Sequence, residues 1–366
     1  MKRLMAIGAA AAMSASVSAQ DFAVRSWGGG VIDQGAYPNY GQSIVPADLG
    51  QVVGLSAGGY HSMALQSDGS VVCWGRNDFG QCNMPDGLDG VVQVVAGHVF
   101  SLALRADGVI AAWGDNSAGQ LVVPAGLGSV NRVEAGYSFT LARTPGGTLR
   151  AWGDNTAGQC NVPLDLGAVD DFSAGRLHAI ARRIDGTVRA WGSNSFGQIA
   201  VPADIGGVLD VAGGNYHSLV ITPQETVRCW GNNLYGQSVV PSGLSEVIAV
   251  GGGEYHSAAL RRDGTVVCWG ANVAINNGYP SNQCIVPNDL GRADMLAVGG
   301  YHTMVHAVAC LGDTNNDGAV DGIDLATILT RWAQSATKFP NADCNRDGVI
   351  DGSDLSIVLG SWGVCP

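Results

Sequence analysis

Charge is what this sequence has least of. Only 14% of its 366 residues are charged, and 19 bases face 31 acids, for a formal net charge of −12. A chain of that sign does not gather a polyanion by bulk attraction, so nucleic acid is excluded as an expected partner. Long apolar runs are missing as well: beyond residue 19 none is long enough to cross a bilayer, so no membrane span is expected. Catalytic patterns are also absent. No nucleophile–base pairing, paired carboxylate or metal cluster recurs in the repeated part of the chain, and no catalytic residue is assigned.

The one apolar run stands at the start. Met1-Lys2-Arg3 is basic, Leu4 to Met13 is apolar, and Val17-Ser18-Ala19 offers small residues for cleavage. Residues 1–19 therefore read as an export signal, with a secreted, cell-surface or periplasmic, soluble product. Loss of Lys2 and Arg3 takes the net charge from −12 to −14.

Glycine, at 54 residues, is what the chain has in plenty, and it points to tight turns between short strands. The Trp-Gly pairs begin at Trp27, Trp74, Trp113, Trp152, Trp191, Trp230 and Trp269, in steps of 47 and then 39 five times. A fixed period of this length means a solenoid or a propeller. Upstream of each Trp stands a second anchor: His61, Phe100, Phe139, His178, His217, His256 and His302. Between the anchors lies Asp-Gly, as at Asp68-Gly69 and Asp263-Gly264, the signal of a tight hairpin.

The first unit has a Trp half but no His-type strand before it, and the last has its His302 strand but no Trp-Gly after it. A solenoid would need polar caps instead. The expectation is a mainly β fold: a seven-bladed propeller closed by the N-terminal strand, with Phe22 to Trp27 paired to the strand around His302. The Trp is then a plug between blades, the Gly residues turn the chain, and the Asn binds its own loop backbone. A position that accepts either His or Phe is a packing position rather than a metal ring.

From Trp to the Gln of Gly-Gln is 7 residues in regular units, but 15 from Trp27 to Gln42 and 14 from Trp269 to Gln283. Closure would set these two enlarged loops side by side. They carry Tyr37, Asn39 and Tyr40, then Asn276, Asn277 and Tyr279, residue types suited to contact, and are read as a partner-binding patch. The competing reading is that they only cover the seam.

Nine cysteines leave at least one unpaired or intermolecular. Cys73 and Cys82 flank one Trp-to-Gln loop, and Cys268 and Cys284 take the same two places in another, so Cys73–Cys82 and Cys268–Cys284 bridges are expected. Cys160 and Cys229 each lack the counterpart and read as thiols.

Composition changes after Cys310. Asp313 to Asp324 and Asp343 to Asp354 both match D-x-N-x-D-G-x-x-D-x-x-D, which suits Ca²⁺. The expected ligands are Asp313, Asn315, Asp317, Asp321 and Asp324 with the Ala319 carbonyl, and Asp343, Asn345, Asp347, Asp351 and Asp354 with the Val349 carbonyl, for two ions. One apolar helix follows each loop.

The repeat "AGxxHSxALxxDGxVxxWGxNxxGQ" resembles that of the regulator of chromosome condensation family over roughly residues 22–308. Its short form is similar to that of a secreted bacterial beta-lactamase inhibitor. That resemblance implies a seven-bladed propeller with three-stranded blades. The duplicated loop and helix of residues 311–363 resemble a dockerin, and the terminal "WGVC" a variant type of exported bacterial proteins. The dockerin resemblance implies a cohesin-like or surface-protein partner met at loop positions 10 and 11, here Gly322-Ile323 and Gly352-Ser353. These are not the Ser/Thr pairs of cellulosomal examples. Cys310 and Cys365 are expected to clasp the module's ends, leaving Cys344 over.

The division expected is a signal over 1–19, a propeller over 20–309 and a calcium module over 310–366. The function expected is non-enzymatic binding of a protein or glycan by the propeller, with the module as attachment device. The alternatives are a carbohydrate-active protein tethered by its dockerin and an inhibitor of an extracellular enzyme.

Overall fold

A computed structural model describes residues 22–271, 273–274, 279–288, 290–308, 312, 314, 319–334, 342, 344, 349–360 and 362–364. The chain forms a mainly β protein of propeller-type three-stranded repeats, followed by two short helices, Gly322–Arg331 and Gly352–Gly360. No described helix is long and apolar enough to cross a membrane.

Each repeat folds as its sequence dictates. In the first sheet, the inner strand Val52–Ala57 pairs with His61–Gln66, which turns at Asp68-Gly69 into the outer strand Val71–Gly75. The Asp68 carboxylate closes that turn by accepting from the Ser70 amide at 2.9 Å. The next five sheets repeat the order, with inner strands Val91–Ala96, Arg132–Ala135, Val169–Ala174, Asp210–Gly213 and Val247–Gly252. Their middle strands begin at Phe100, Phe139, His178, His217 and His256.

The seventh sheet is built from both ends of the repeat region. Its inner strand is Arg292–Val298, its middle strand His302–Val308, and its outer strand Phe22–Gly28. Trp27 stands opposite Thr303 and Gly28 opposite His302. Consecutive sheets pack on one another, and the inner and middle strands of the seventh pack on Val52–Ala57 of the first.

Three side chains of the motif hold neighbouring sheets together. The Trp74 ring is buried against Val24, Ala297 and Met304 of the seventh sheet, and its indole N–H donates to the Gln42 carbonyl at 2.9 Å. Burial of such a ring stabilises by about 1.5–3 kcal/mol. All seven Trp make this bond to the Gln of the preceding unit, and Trp27 makes it to Gln283 at 3.0 Å. The same Gln42 carbonyl accepts from Ser62 Oγ at 2.8 Å, and Ser62 Oγ lies 2.8 Å from His302 Nε2. Because the serine proton is committed to the carbonyl, the imidazole donates through Nε2. Nδ1 is therefore unprotonated, buried and without a hydrogen-bond partner.

The relay recurs as His61–Ser101, His178–Ser218, His217–Ser257 and His256–Thr303. Burial lowers these imidazoles from 6.5 to about 3 for His61, His217, His256 and His302 and to about 4 for His178. Where Phe139 replaces the His, the facing hydroxyl position is Ala179, so the polar pair is exchanged for an apolar one.

The glycine before each anchor has a steric cause. A Cβ on Gly58 would meet the Gly97 carbonyl at 2.4 Å and the His61 ring at 2.6 Å. Gly75, after its Trp, takes φ +99°, open to glycine without strain.

Cys73–Cys82 is the one disulfide among the described residues. The Cys268–Cys284 bridge expected from the same two repeat positions is not formed: both carry thiols. The Cys284 thiol donates instead to the Ala271 carbonyl at 3.6 Å, on the far side of the enlarged loop. Burial pushes it up to about 12, and burial followed by Cys284 raises Cys268. Cys160 and Cys229 are thiols, as is Cys344. Cys310 and Cys365 lie outside the described residues.

In the C-terminal module, Val320, Ile328, Ala342, Ile350 and Val358 form a small core. Ala319 and Val320 pair with Val364 and Gly363, which ties the module's last described strand to its first.

Candidate functional site

The inner strands of all seven sheets line one channel of about 210 Å³. At one end the inner strand stops at its glycine, and the next residue lies at the mouth. From the first sheet to the seventh these residues are Gly59, His98, Tyr137, Arg176, Asn215, Glu254 and Gly300. The framework repeats; this position changes chemistry from sheet to sheet.

The loops from Trp to Gln emerge at the same end, since Gly75 lies beside His61 and the Arg76 amide donates to the Tyr60 carbonyl at 2.9 Å. All nine tyrosines of the chain fall in these two kinds of connection. Tyr60 and Tyr301 stack at 5.5 Å, Tyr37 stands edge-on to both, and Tyr40 packs on Tyr60. Tyr235 packs on Tyr255, and His98 stacks on Tyr137 at 3.8 Å. Arg176 lies over Tyr137 at 4.4 Å and Tyr216 at 5.3 Å, and pairs loosely with Glu254 at 3.8 Å. Arg76 covers Tyr40, Tyr60 and Phe79. Burial raises the phenols of Tyr60, Tyr255 and Tyr301, and the Glu254 carboxylate raises them further. Burial holds His98 down to about 3, helped by Arg176 and Arg76. Three exposed apolar side chains, Phe79, Phe196 and Leu234, sit on the loop tips around the rim. Arg76 also pairs with Asp78 at 2.9 Å, and the opposite, Asp-Gly end carries further ion pairs, such as Arg105–Asp89, Arg228–Asp204 and Arg261–Asp263.

The first enlarged loop packs beside the mouth. Tyr37 stands against Tyr60 and Tyr301, the residues that follow Gly59 and Gly300, while Asn39 is held inside its own hairpin by accepting from the Gly30 amide at 2.8 Å. Of the second loop, Asn276 and Asn277 lie outside the described residues, and Tyr279 is described only as a strand residue paired with Ala274. The mouth residues after each glycine were not singled out from sequence. Their signal was a column of the repeat whose residue type changes from unit to unit.

Of the calcium residues, Asp313, Asn315, Asp317, Asp343, Asn345 and Asp347 lie outside the described residues. Asp324 and Asp354 are fully buried. Each accepts through Oδ2 from the amide three residues earlier, that of Asp321 or Asp351, at 2.8 Å. Asp321 and Asp351 themselves accept from the amides of Ile323 and Ser353, at 2.7 and 2.8 Å. Gly322, Ile323, Gly352 and Ser353 are exposed. Among the described residues no three His, Cys, Asp or Glu side chains converge on one point.

The Regulator of chromosome condensation (RCC1) repeat matches residues 52–81, 91–120, 130–159, 169–198, 208–237 and 247–278, and the Dockerin type I domain matches residues 311–359. The chain is an RCC1-repeat propeller protein with a C-terminal dockerin. Among solved structures it is similar to Prp20p of Saccharomyces cerevisiae, with a TM-score of 0.66 at 19% identity over 82% of this chain and 94% of that one. It is also similar to human WBSCR16, with a TM-score of 0.60 at 20% identity over 72% and 88% of the two chains. The ectodomain of the Arabidopsis thaliana receptor kinase ACR4 gives 0.55 at 24% identity over 70% and 93%. No curated protein matches the chain. At these identities the likeness is one of fold. RCC1-like repeats point to an interaction propeller. Dockerin type I domains typically bind calcium and attach to cohesins.

Proposed function

We propose that the chain is an exported, non-enzymatic binding protein. In this reading residues 20–309 are a closed seven-bladed propeller that recognises a partner protein through its tyrosine-rich mouth. Residues 310–366 are a dockerin that holds two calcium ions and attaches the chain to a cohesin-like surface protein.

One observation carries the recognition surface: every tyrosine of the chain lies in the connections of one end, where Arg76 and Arg176 cover the rings. Tyrosine and arginine are enriched at protein-binding hot spots and acidic side chains are depleted. Closure is supported by the Phe22–Gly28 pairing and by a channel lined from all seven sheets. Mouth side chains engaged with one another rather than poised around a vacant reaction centre favour binding over turnover.

The module's residues fit calcium. The donors expected are all oxygens, and each loop ends in a fully buried carboxylate, Asp324 or Asp354, a donor type that suits a hard divalent cation. Bound calcium would supply the charge compensation that lets Asp324 and Asp354 be buried and would contribute to the module's folding. Ile323, Leu329 and Leu359 leave an exposed apolar helix surface for the attachment partner.

Capture from the exoproteome of the producing organism tests both halves. With calcium, the whole protein is expected to retain a cohesin-type protein and a mouth partner, and chelation is expected to release the first alone. Shortening the 31–40 loop to the regular length is expected to lose the mouth partner. Retention of all partners by that variant would contradict the reading.

A further inference from the structure

We propose that Arg176 recognises a carboxylate that the mouth's protein partner carries on an extended segment, at its chain end or on an acidic side chain. This rests on the mouth being the recognition face.

The guanidinium is held in place while its donors stay open. It lies over the ring of Tyr137 at 4.4 Å and over that of Tyr216 at 5.3 Å. Tyr137 is backed in turn by the His98 ring at 3.8 Å, and His98 by Tyr60 at 5.2 Å. These stacks fix the group before a partner arrives, so little freedom is lost on binding. The Arg176 side chain is 28% exposed and donates a hydrogen bond to no described residue. Its ion-pair partner, Glu254, stands 3.8 Å away, beyond hydrogen-bond reach. Glu254 is engaged elsewhere, because the hydroxyls of Tyr255 and Tyr301 hydrogen-bond it.

The neighbouring groups point to the same guest. Asn215, the mouth residue of the next sheet, makes no side-chain hydrogen bond to a described residue, and neither do the hydroxyls of Tyr137 and Tyr216. Loop asparagines, by contrast, are taken up by the backbone: Asn194 accepts from the Ile199 amide and Asn233 from that of Ser238. A planar fork flanked by open amide and hydroxyl donors fits the two oxygens of a carboxylate. With Glu254 alongside, the site is close to neutral, which suits one negative charge better than the roughly −1.5 to −2 of a phosphate group. The channel behind it, about 210 Å³, is below the roughly 300 Å³ at which pockets for whole small ligands begin, so the carboxylate arrives on a chain.

Isothermal titration of the full-length protein with three peptides tests the assignment: acetyl-Ala-Gly-Ala with a free C-terminal carboxylate, its C-terminal amide, and acetyl-Ala-Glu-Ala-amide. A carboxylate peptide is expected to bind and the uncharged amide not. Tighter binding of the first assigns a chain end, and of the third an acidic side chain. Arg176→Lys keeps the charge but loses the fork and its stacking. It is expected to weaken binding at least about tenfold while melting as the unaltered protein does. Arg150→Gln, on the outer strand Leu149–Gly153, is expected to leave binding unchanged. Equal binding of all three peptides, no binding of either carboxylate peptide, or undiminished binding by Arg176→Lys overturns the proposal. An equal loss in Arg150→Gln overturns it in favour of bulk attraction. If the 31–40 variant loses its captured partner while no carboxylate peptide binds, the mouth reading stands and this one falls.

Discussion

The imidazole of His302 donates to the hydroxyl of Ser62, 2.8 Å away and 240 residues earlier in the chain. It is the same bond that joins neighbouring sheets elsewhere, and here it joins the last sheet to the first. The repeat motif is therefore a list of contacts between units rather than within them. Trp and Gln meet across each boundary, His and a hydroxyl across five of the seven, and the boundary between the chain's two ends has both.

That equivalence predicts equal cost at the seam. Trp27→Phe and Trp152→Phe each remove one indole donor from a Gln carbonyl, at Gln283 and Gln120. Each is expected to lower stability by about 1 kcal/mol in denaturant unfolding. A seam that contributed nothing would leave Trp27→Phe silent.

Phe139 and Ala179 face one another where five other boundaries have His and a hydroxyl. Phe139→His alone would place a buried N–H opposite a methyl group and is expected to cost about 1–3 kcal/mol beyond the lost packing. Ala179→Ser in the same chain should recover part of it. A double-mutant cycle with no coupling energy would contradict the pairing.

Acid should unlock these boundaries. The five relay imidazoles have folded-state values of about 3 or 4, below the ordinary 6.5. Unfolding lets them protonate, so their neutral burial costs nothing above pH 6.5 and progressively destabilises the fold as pH falls toward the folded values. At pH 5 this is about 2 kcal/mol for each buried ring, against a typical total stability of about 5–15 kcal/mol. The melting temperature is expected to be level above about pH 7 and to fall steeply below pH 6. A level profile down to pH 4 would refute the assignment.

Calcium removal should act on the C-terminal module alone. Titration is expected to count two ions, and Asp354→Ala to reduce the count to one. Chelation is expected to lose the ellipticity of Gly322–Arg331 and Gly352–Gly360 while near-ultraviolet tryptophan signals of the propeller persist.

Much of this was legible in the sequence, because Trp, His and Asp-Gly recur in register and each fixes a strand end. The outer strand at Phe22 could be placed from what the first and last units lack. The role of His was read only as packing. The relay was visible in principle, since the Ser or Thr lies 40 residues after its His (47 from His256 to Thr303), and Phe139 is matched by Ala179. The mouth was found only in part. Tyr37 and Tyr40 stood out by their insertion, but Arg176 and Glu254 stand in sheets far apart in sequence and meet only in the folded chain. The Cys268–Cys284 expectation failed because equal repeat positions do not guarantee equal sulfur placement once seven residues are inserted between them.

Hydrogen exchange of residues 22–28 tests the ring most directly. If they complete the seventh sheet, their amides should be protected as strongly as those of the outer strands Val71–Gly75 and Leu149–Gly153. Complete exchange of 22–28 at the earliest time point, with those two strands still protected, would contradict the account.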